Sequence, residues 1–286
     1  MTDSLVCGSL AALLLCAAGS TSAQETVDLK YKFSPNEEVR WLVVQKADVS
    51  TTIQGHTQRS KMVSTSEKVC RFEASQKGGF KFVHSVDQVR MSREVSGQQK
   101  VTYDSHSDES PPPEYEHIAD EVGVPIVTIT MDSQGKILER EENRPGSSDP
   151  IGSRSIVVPL PDEPITVGHK WSSVAEVPVT TPKSGTKKIR TRQRYKLESI
   201  NKGIATITSQ AQVLTPTNDP AIDAQLIQEL GTGTIRFDIE AGRVISHQID
   251  LDEQVVAFQG PASNLRYVGR LTEKLIEPTP QTARRE

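Results

Sequence analysis

The chain is written twice. His117-Ile118-Ala119-Asp120-Glu121-Val122-Gly123 is echoed by Gln225-Leu226-Ile227-Gln228-Glu229-Leu230-Gly231, and the flanks of the two copies correspond as well. Downstream, Val127, Ile129 and Met131 alternate as Ile235, Phe237 and Ile239 do. Each of these runs leads into a turn ending in glycine, Asp132-Ser133-Gln134-Gly135 and Glu240-Ala241-Gly242. Upstream, Cys70-Arg71-Phe72-Glu73 before Lys77-Gly78 parallels Tyr195-Lys196-Leu197-Glu198 before Lys202-Gly203. A duplication on this scale confines the chain to two copies of one supersecondary unit, here residues 28–142 and 159–276.

Within each copy the pattern is strands, one short helix, then strands. Leu29/Tyr31/Phe33, Val39/Trp41/Val43, Phe80/Phe82 and Ile189/Thr191/Gln193/Tyr195/Leu197 repeat every second residue, as expected where one sheet face is buried. The first helix follows Pro111-Pro112-Pro113 and sets Tyr115, Ile118, Ala119 and Val122 on one face. The second takes Asp219 as N-cap and Pro220 in its first turn, with Ile222, Leu226 and Leu230 spaced by four. Gly123 and Gly231 are expected to end these helices in the left-handed conformation, and Gly135 and Gly242 to supply positive φ in hairpin turns. The fold class is therefore mainly β, a tandem pseudo-repeat of two antiparallel half-barrel-like halves. Residues 143–158, rich in Gly, Pro and Ser, read as a linker, and 277–286 as a disordered tail.

Leu5 to Gly19 is a continuous apolar run followed by small, polar Ser20 to Ala23, so residues 1–23 read as a secretory signal peptide cut between Ala23 and Gln24. Met1 to Ser4 carries no Lys or Arg, which is unusual for such a leader; an uncleaved anchor and a buried core helix are the alternatives. Cys7 and Cys16 would leave with the leader, and bulky Leu14 and Leu15 argue against lipidation at Cys16. Cys70 then stands alone in an alternating stretch and reads as a buried structural thiol. Loss of Asp3 changes the net charge from −4 to −3, which excludes a strongly basic nucleic-acid binder. No later apolar run is long enough for a membrane span, so the expected location is periplasmic or extracellular.

Pro159-Leu160-Pro161-Asp162-Glu163-Pro164-Ile165-Thr166-Val167-Gly168-His169-Lys170-Trp171 opens the second copy. Pro161 and Pro164 hold it extended, Gly168 makes a tight turn, and Trp171 anchors on the core. With the leader, the Leu29-Lys30-Tyr31-Lys32-Phe33 strand and the Asp-x-x-Gly turn at 132–135, this string resembles a family of exported bacterial proteins carrying a domain of unknown function. That resemblance implies export and the duplicated β layout, and it brings no catalytic residues with it.

The most conspicuous charge feature is Lys183 to Lys196, seven cations without an acid. As a strand it projects Lys188, Arg190, Arg192, Arg194 and Lys196 from one face, a candidate anion-binding ribbon for glycan, lipid head groups or an acidic partner. The plainer reading is a solvated face that discourages edge-to-edge aggregation. Asp104 to Glu121 holds seven acids and no cation, so the two halves are expected to pair acidic segment against basic face. His106, Asp108 and Glu109 cluster without metal-site spacing, and His84 reads as a core histidine. No nucleophile elbow, P-loop or dinucleotide fingerprint is present, and no cofactor is called for.

These features point to an exported, non-catalytic envelope protein whose concave faces accept an apolar or amphipathic ligand such as a lipid. The alternative is a structural or interaction module contacting envelope polyanions or a protein partner through the basic strand; an unrecognised hydrolase is the third reading.

Overall fold

A computed structural model describes residues 26–75, 79–144, 157–181 and 185–276. The leader with its Ala23–Gln24 cleavage site, residues 145–156 of the linker, and the tail all lie outside these residues. The described chain is mainly β, as its period-two pattern requires. Twelve strands run β1 (Glu38–Ile53), β2 (His56–Glu73), β3 (Phe80–Val95), β4 (Val101–Asp104), β5 (Pro125–Met131), β6 (Ile137–Glu142), β7 (Lys170–Thr181), β8 (Gly185–Asn201), β9 (Ile204–Val213), β10 (Thr232–Asp238), β11 (Arg243–Val256) and β12 (Asn264–Ile276). A 3₁₀ turn at Pro113–Tyr115 leads into α1 (Glu116–Ala119), and α2 (Pro220–Leu226) continues into a second 3₁₀ turn at Ile227–Glu229. One short helix falls in each expected half.

The two expected halves are continuous with each other. They merge into one antiparallel sheet in the order β6-β5-β3-β2-β1-β12-β11-β10-β9-β8-β7, with β4 added beside β3; the sheet does not close. The seam is β1 against β12, paired from Arg40↔Ile276 to Thr52↔Asn264. Neighbours along the sheet are consecutive in the chain except at β3–β5, where β4 is set aside, and at this seam, where the last strand of the chain meets the first.

One core serves both repeats. Ile129 and Met131 near one edge, Tyr195 and Leu197 near the other, and Trp41, Phe72, Ile207 and Phe237 between them belong to a single apolar cluster. Strands so far apart in the sheet share a cluster only if the sheet curls, and two extended segments fill the curl. Leu29 and Tyr31 come from the N-terminal segment; Val157, Val158, Leu160 and Ile165 come from the Pro-rich motif and the residues before it. The end of the expected linker is thus core rather than connector. The two segments bond to each other, Val27 and Ile165 exchanging backbone bonds of 2.8 Å, while the Tyr31 hydroxyl accepts from Val158 N and donates to Val158 O. The N-terminal segment also clamps the equivalent turns of both repeats: Tyr31 N donates to Ser133 O and Lys32 N to Gly242 O.

Local chemistry accounts for the turns. Gly135 and Gly242 have φ of 77° and 63°, as the hairpins demand, and Asp132 accepts from the backbone N–H groups of Gln134 and Lys136. A methyl group on either glycine would collide with the clamp, reaching Tyr31 Cε2 at 2.7 Å or Lys32 Cγ at 2.5 Å. Gly123 is left-handed as expected, with φ of 78°. Gly231 is not. It is needed for space, since a Cβ there would lie 2.4 Å from Ile249 Cγ2. Asp219 caps α2 by accepting from Ala221 N, and Ile222 and Leu226 are buried against Val177, Val179 and Ile189. At β7, an edge strand, the Gln225 amide accepts from Thr180 N and donates to Thr180 O, imitating a neighbouring strand.

Candidate functional site

The basic segment does form a strand, β8, and alternates as read. Ile189, Tyr195 and Leu197 are buried, while Lys188, Arg190 and Arg194 are exposed and Arg192 and Lys196 half-buried on the opposite face. The structure divides these five cations. Lys188 pairs with Glu176 at 3.2 Å, and Lys196 with Glu198 at 2.6 Å. Among the described residues, no carboxylate lies within ion-pair distance of Arg190, Arg192 or Arg194. The acidic segment does not neutralise them: Asp104 meets Arg90 and Glu114 meets Arg93, both on β3 of its own repeat. The expected pairing of acidic segment against basic face is therefore absent among the described contacts.

Arg192, Arg194 and Lys196 line a groove of about 780 Å³ on this outer face. It crosses β7 to β11 because sheet register places polar side chains in two adjoining rows. One row is Ser172↔Arg194↔Gln210↔Thr232↔Asp250, and the other is Lys170↔Lys196↔Thr208↔Thr234. Trp171, Tyr195, Ser209 and Gly233 contribute the row between them. Tyr195, Ser209 and Gly233 are buried, on the core side of the strands. At the usual strand spacing the five strands extend about 19 Å.

The groove is electrostatically graded. At its β7–β8 end are Arg192 and Arg194, cations without a described counter-charge, Lys170, whose charge also acts on Glu198, and Lys196, which shares Glu198 with the Thr208 hydroxyl. Those two donors draw the Glu198 carboxyl below its ordinary range. The middle presents only hydroxyls and an amide. At the far end, Asp250 is bound by Arg270 and Gln248, and although burial acts to raise its pKa, these partners lower it. The arrangement offers fixed donors to an anion; nothing in it pairs a nucleophile with a base.

No protein-family model matches the chain, and no curated protein does. Among solved structures it is similar to lipovitellin, from a structure concerned with lipid–protein interactions, at 12% identity and a TM-score of 0.46 over 86% of this chain and 26% of that one. The chain thus spans about a quarter of the lipovitellin chain. It is also similar to DynF from the dynemicin biosynthesis pathway of Micromonospora chersina, at 8% identity and a TM-score of 0.24 over 90% and 88% of the two chains. At these scores neither likeness bears on function.

The residues of the Pro-rich motif, Cys70 and His84 take structural places. Trp171 is half-buried, stacks on Tyr195 with ring centroids 5.5 Å apart, and donates from Nε1 to Pro159 O at 2.7 Å. Gly168, with φ of 92°, turns the chain into β7; Pro161 is buried and Pro164 exposed. Cys70 is fully buried. His84 is 1% exposed, and burial with Lys68 nearby pushes its pKa down to about 3, so it is neutral.

Two sets of residues escaped sequence reading. The first is the neutral floor of the groove, Ser172, Thr208, Gln210, Thr232 and Thr234. Its trace in the sequence is Thr206-x-Thr208-x-Gln210-x-Gln212 and Thr232-x-Thr234, outward positions filled by hydroxyls and amides where an ordinary strand face carries charges. The second is an ionic cluster inside the curl. Lys68 Nζ lies 2.8 Å from Glu273 Oε1, and His247 Nδ1 is 3.8 Å from Glu273 Oε2, all three side chains being buried. Lys68 is on β2 and Glu273 on β12, so the pair bolts one repeat to the other across the seam.

Proposed function

We propose that the chain is an exported, non-catalytic binding module that holds an anionic ligand in the groove across β7–β11. The observation that carries this reading is the presence of Arg192 and Arg194, without described counter-charges, beside Lys170 in a groove whose remaining walls supply hydrogen bonds. Packing supports the choice over an internal carrier: the curl is filled by the segments around Tyr31 and Leu160 and by α2. Export with cleavage between Ala23 and Gln24 belongs to the same proposal, resting on the leader's apolar run. The test is equilibrium binding of a soluble polyanion to the wild type and to Arg192→Glu/Arg194→Glu at rising salt. Affinity that falls with salt and is lost in the variant is expected; equal binding by both proteins would remove the groove from consideration.

A second reading, an apolar or amphipathic ligand, draws on a smaller cleft of about 350 Å³ between α2 and β11, lined by Val213, Leu226, Ile227, Val255 and Val256. Native mass spectrometry of protein taken from its own envelope tests it. A co-purifying lipid lost in Val255→Asp would favour this cleft, and bare protein in repeated preparations would rule it out.

A further inference from the structure

Resting on the anion-binding reading of the groove, we infer that its ligand is an acidic polysaccharide. The acidic groups meet Lys170, Arg192 and Arg194 on the β7–β8 side, and neutral sugar hydroxyls lie over Thr208, Gln210, Thr232 and Thr234.

Four properties select this class. The groove spans about 19 Å at ordinary strand spacing, several times the size of one phosphate or carboxylate, so it suits an extended chain. Its floor is made of short hydroxyl and amide side chains, which are both donors and acceptors and so match sugar hydroxyls that are both as well. An ester or phosphate oxygen is an acceptor only and would leave the acceptor half of that floor unused. The two large apolar side chains in the lining are committed elsewhere: Tyr195 is buried, and Trp171 stacks on it and bonds Pro159. A lipid acyl chain therefore finds no apolar seat, and a nucleic-acid base finds no stacking platform. Finally, β8, β9 and β10 are paired on both sides, so their backbone is spent within the sheet. A peptide could not add as a strand there and would have to be read by side chains alone.

The charge gradient sets the orientation. Cations crowd one end and the Asp250–Arg270 pair occupies the other, so a uniformly dense line of negative charge is mismatched to the groove's length. An alternating acidic and neutral polymer is matched to it. Arg192 and Arg194 carry the charge-assisted contacts; Thr232 and Thr234 tell a sugar from a bare anion.

The experiment is isothermal titration of the full exported protein with four probes: hyaluronan oligosaccharides, which alternate acidic and neutral sugars, neutral dextran, inorganic polyphosphate, and phosphatidylglycerol vesicles. Hyaluronan is expected to bind at least tenfold more tightly than each of the others. Arg194→Gln should weaken hyaluronan about tenfold, the worth of one charge-assisted hydrogen bond. Thr232→Val/Thr234→Val places β-branched residues on an exposed strand face, so it keeps the fold. It should weaken hyaluronan about fivefold and leave polyphosphate binding unchanged. If polyphosphate matches hyaluronan, or the threonine pair changes both alike, the polysaccharide inference fails while the anion-binding reading stands. Preference for vesicles would likewise overturn the inference. Failure to bind any of the charged probes would overturn both.

Discussion

Glu273→Gln removes the counter-charge of Lys68 in a place that water does not reach. The two side chains are 5% and 2% exposed, and Nζ sits 2.8 Å from the carboxylate. Burial alone would raise the Glu273 carboxyl, but Lys68 and His247 overcome it and bring it down to about 2. A buried charge deprived of its partner costs about 3–5 kcal/mol, whereas replacing both charges by apolar groups of similar shape is roughly neutral or stabilising. Glu273→Gln is therefore expected to lose about 3–5 kcal/mol and Lys68→Met a similar amount. The double variant Lys68→Met/Glu273→Leu should recover most of the loss, a coupling of about 3 kcal/mol or more. Urea unfolding at pH 7, followed by tryptophan fluorescence, reads this directly, because Trp41 is the register partner of Lys68. The pair joins β2 of one repeat to β12 of the other, so the transition should remain single with an unchanged slope. A loss below about 1 kcal/mol in Glu273→Gln, or a double variant no more stable than the sum of its singles, would refute the reasoning.

Acid stability follows from His84. Its folded pKa of about 3 lies below the ordinary histidine value, so its neutral burial contributes full stability above about pH 6.5. That stability drains as pH falls from 6.5 towards 3, by up to a factor of ten in the folding equilibrium per pH unit. His84→Phe should flatten unfolding curves between pH 6 and 4, and an unchanged pH slope would exclude His84 as the cause. Glu273, also depressed, adds its loss lower, from about pH 4.5 towards 2. Gly135→Ala and Gly242→Ala combine a left-handed backbone with collision against the N-terminal clamp and should each lower stability by about 1–3 kcal/mol in calorimetry. Gly55→Ala, left-handed but in open space, should cost only about 1 kcal/mol. Gln225→Leu frees the edge of β7 at Thr180 and should raise concentration-dependent self-association in light scattering with little change in melting temperature; a monomer at all concentrations would show that the amide does not guard the edge.

The neutral groove floor is hard to read in the sequence because its residues come from three strands and each is unremarkable alone. Thr208 and Thr234 become neighbours only through the β9–β10 register, and Lys170 joins them only because β7 pairs with β8. The basic ribbon was legible since its members lie on one strand. Charge complementarity with Asp104–Glu121 does not specify proximity, because the β3–β4 register sets Arg90 beside Asp104.

What the sequence alone determined was everything governed by neighbours a few residues apart. Alternation at Val39/Trp41/Val43 specifies a half-buried strand, Asp219-Pro220 starts α2, and Asp132 and Gly135 make a hairpin. What only the tertiary structure decided was how the halves combine. The β1–β12 seam joins residues more than two hundred positions apart, and its choice makes the two expected halves one curled sheet with a shared core. The same choice buries Lys68 against Glu273, makes core of the end of an apparent linker, and assembles the groove. Local patterns record which face of a strand is buried; they do not record what lies across from it, because that depends on the free energy of the whole packing arrangement.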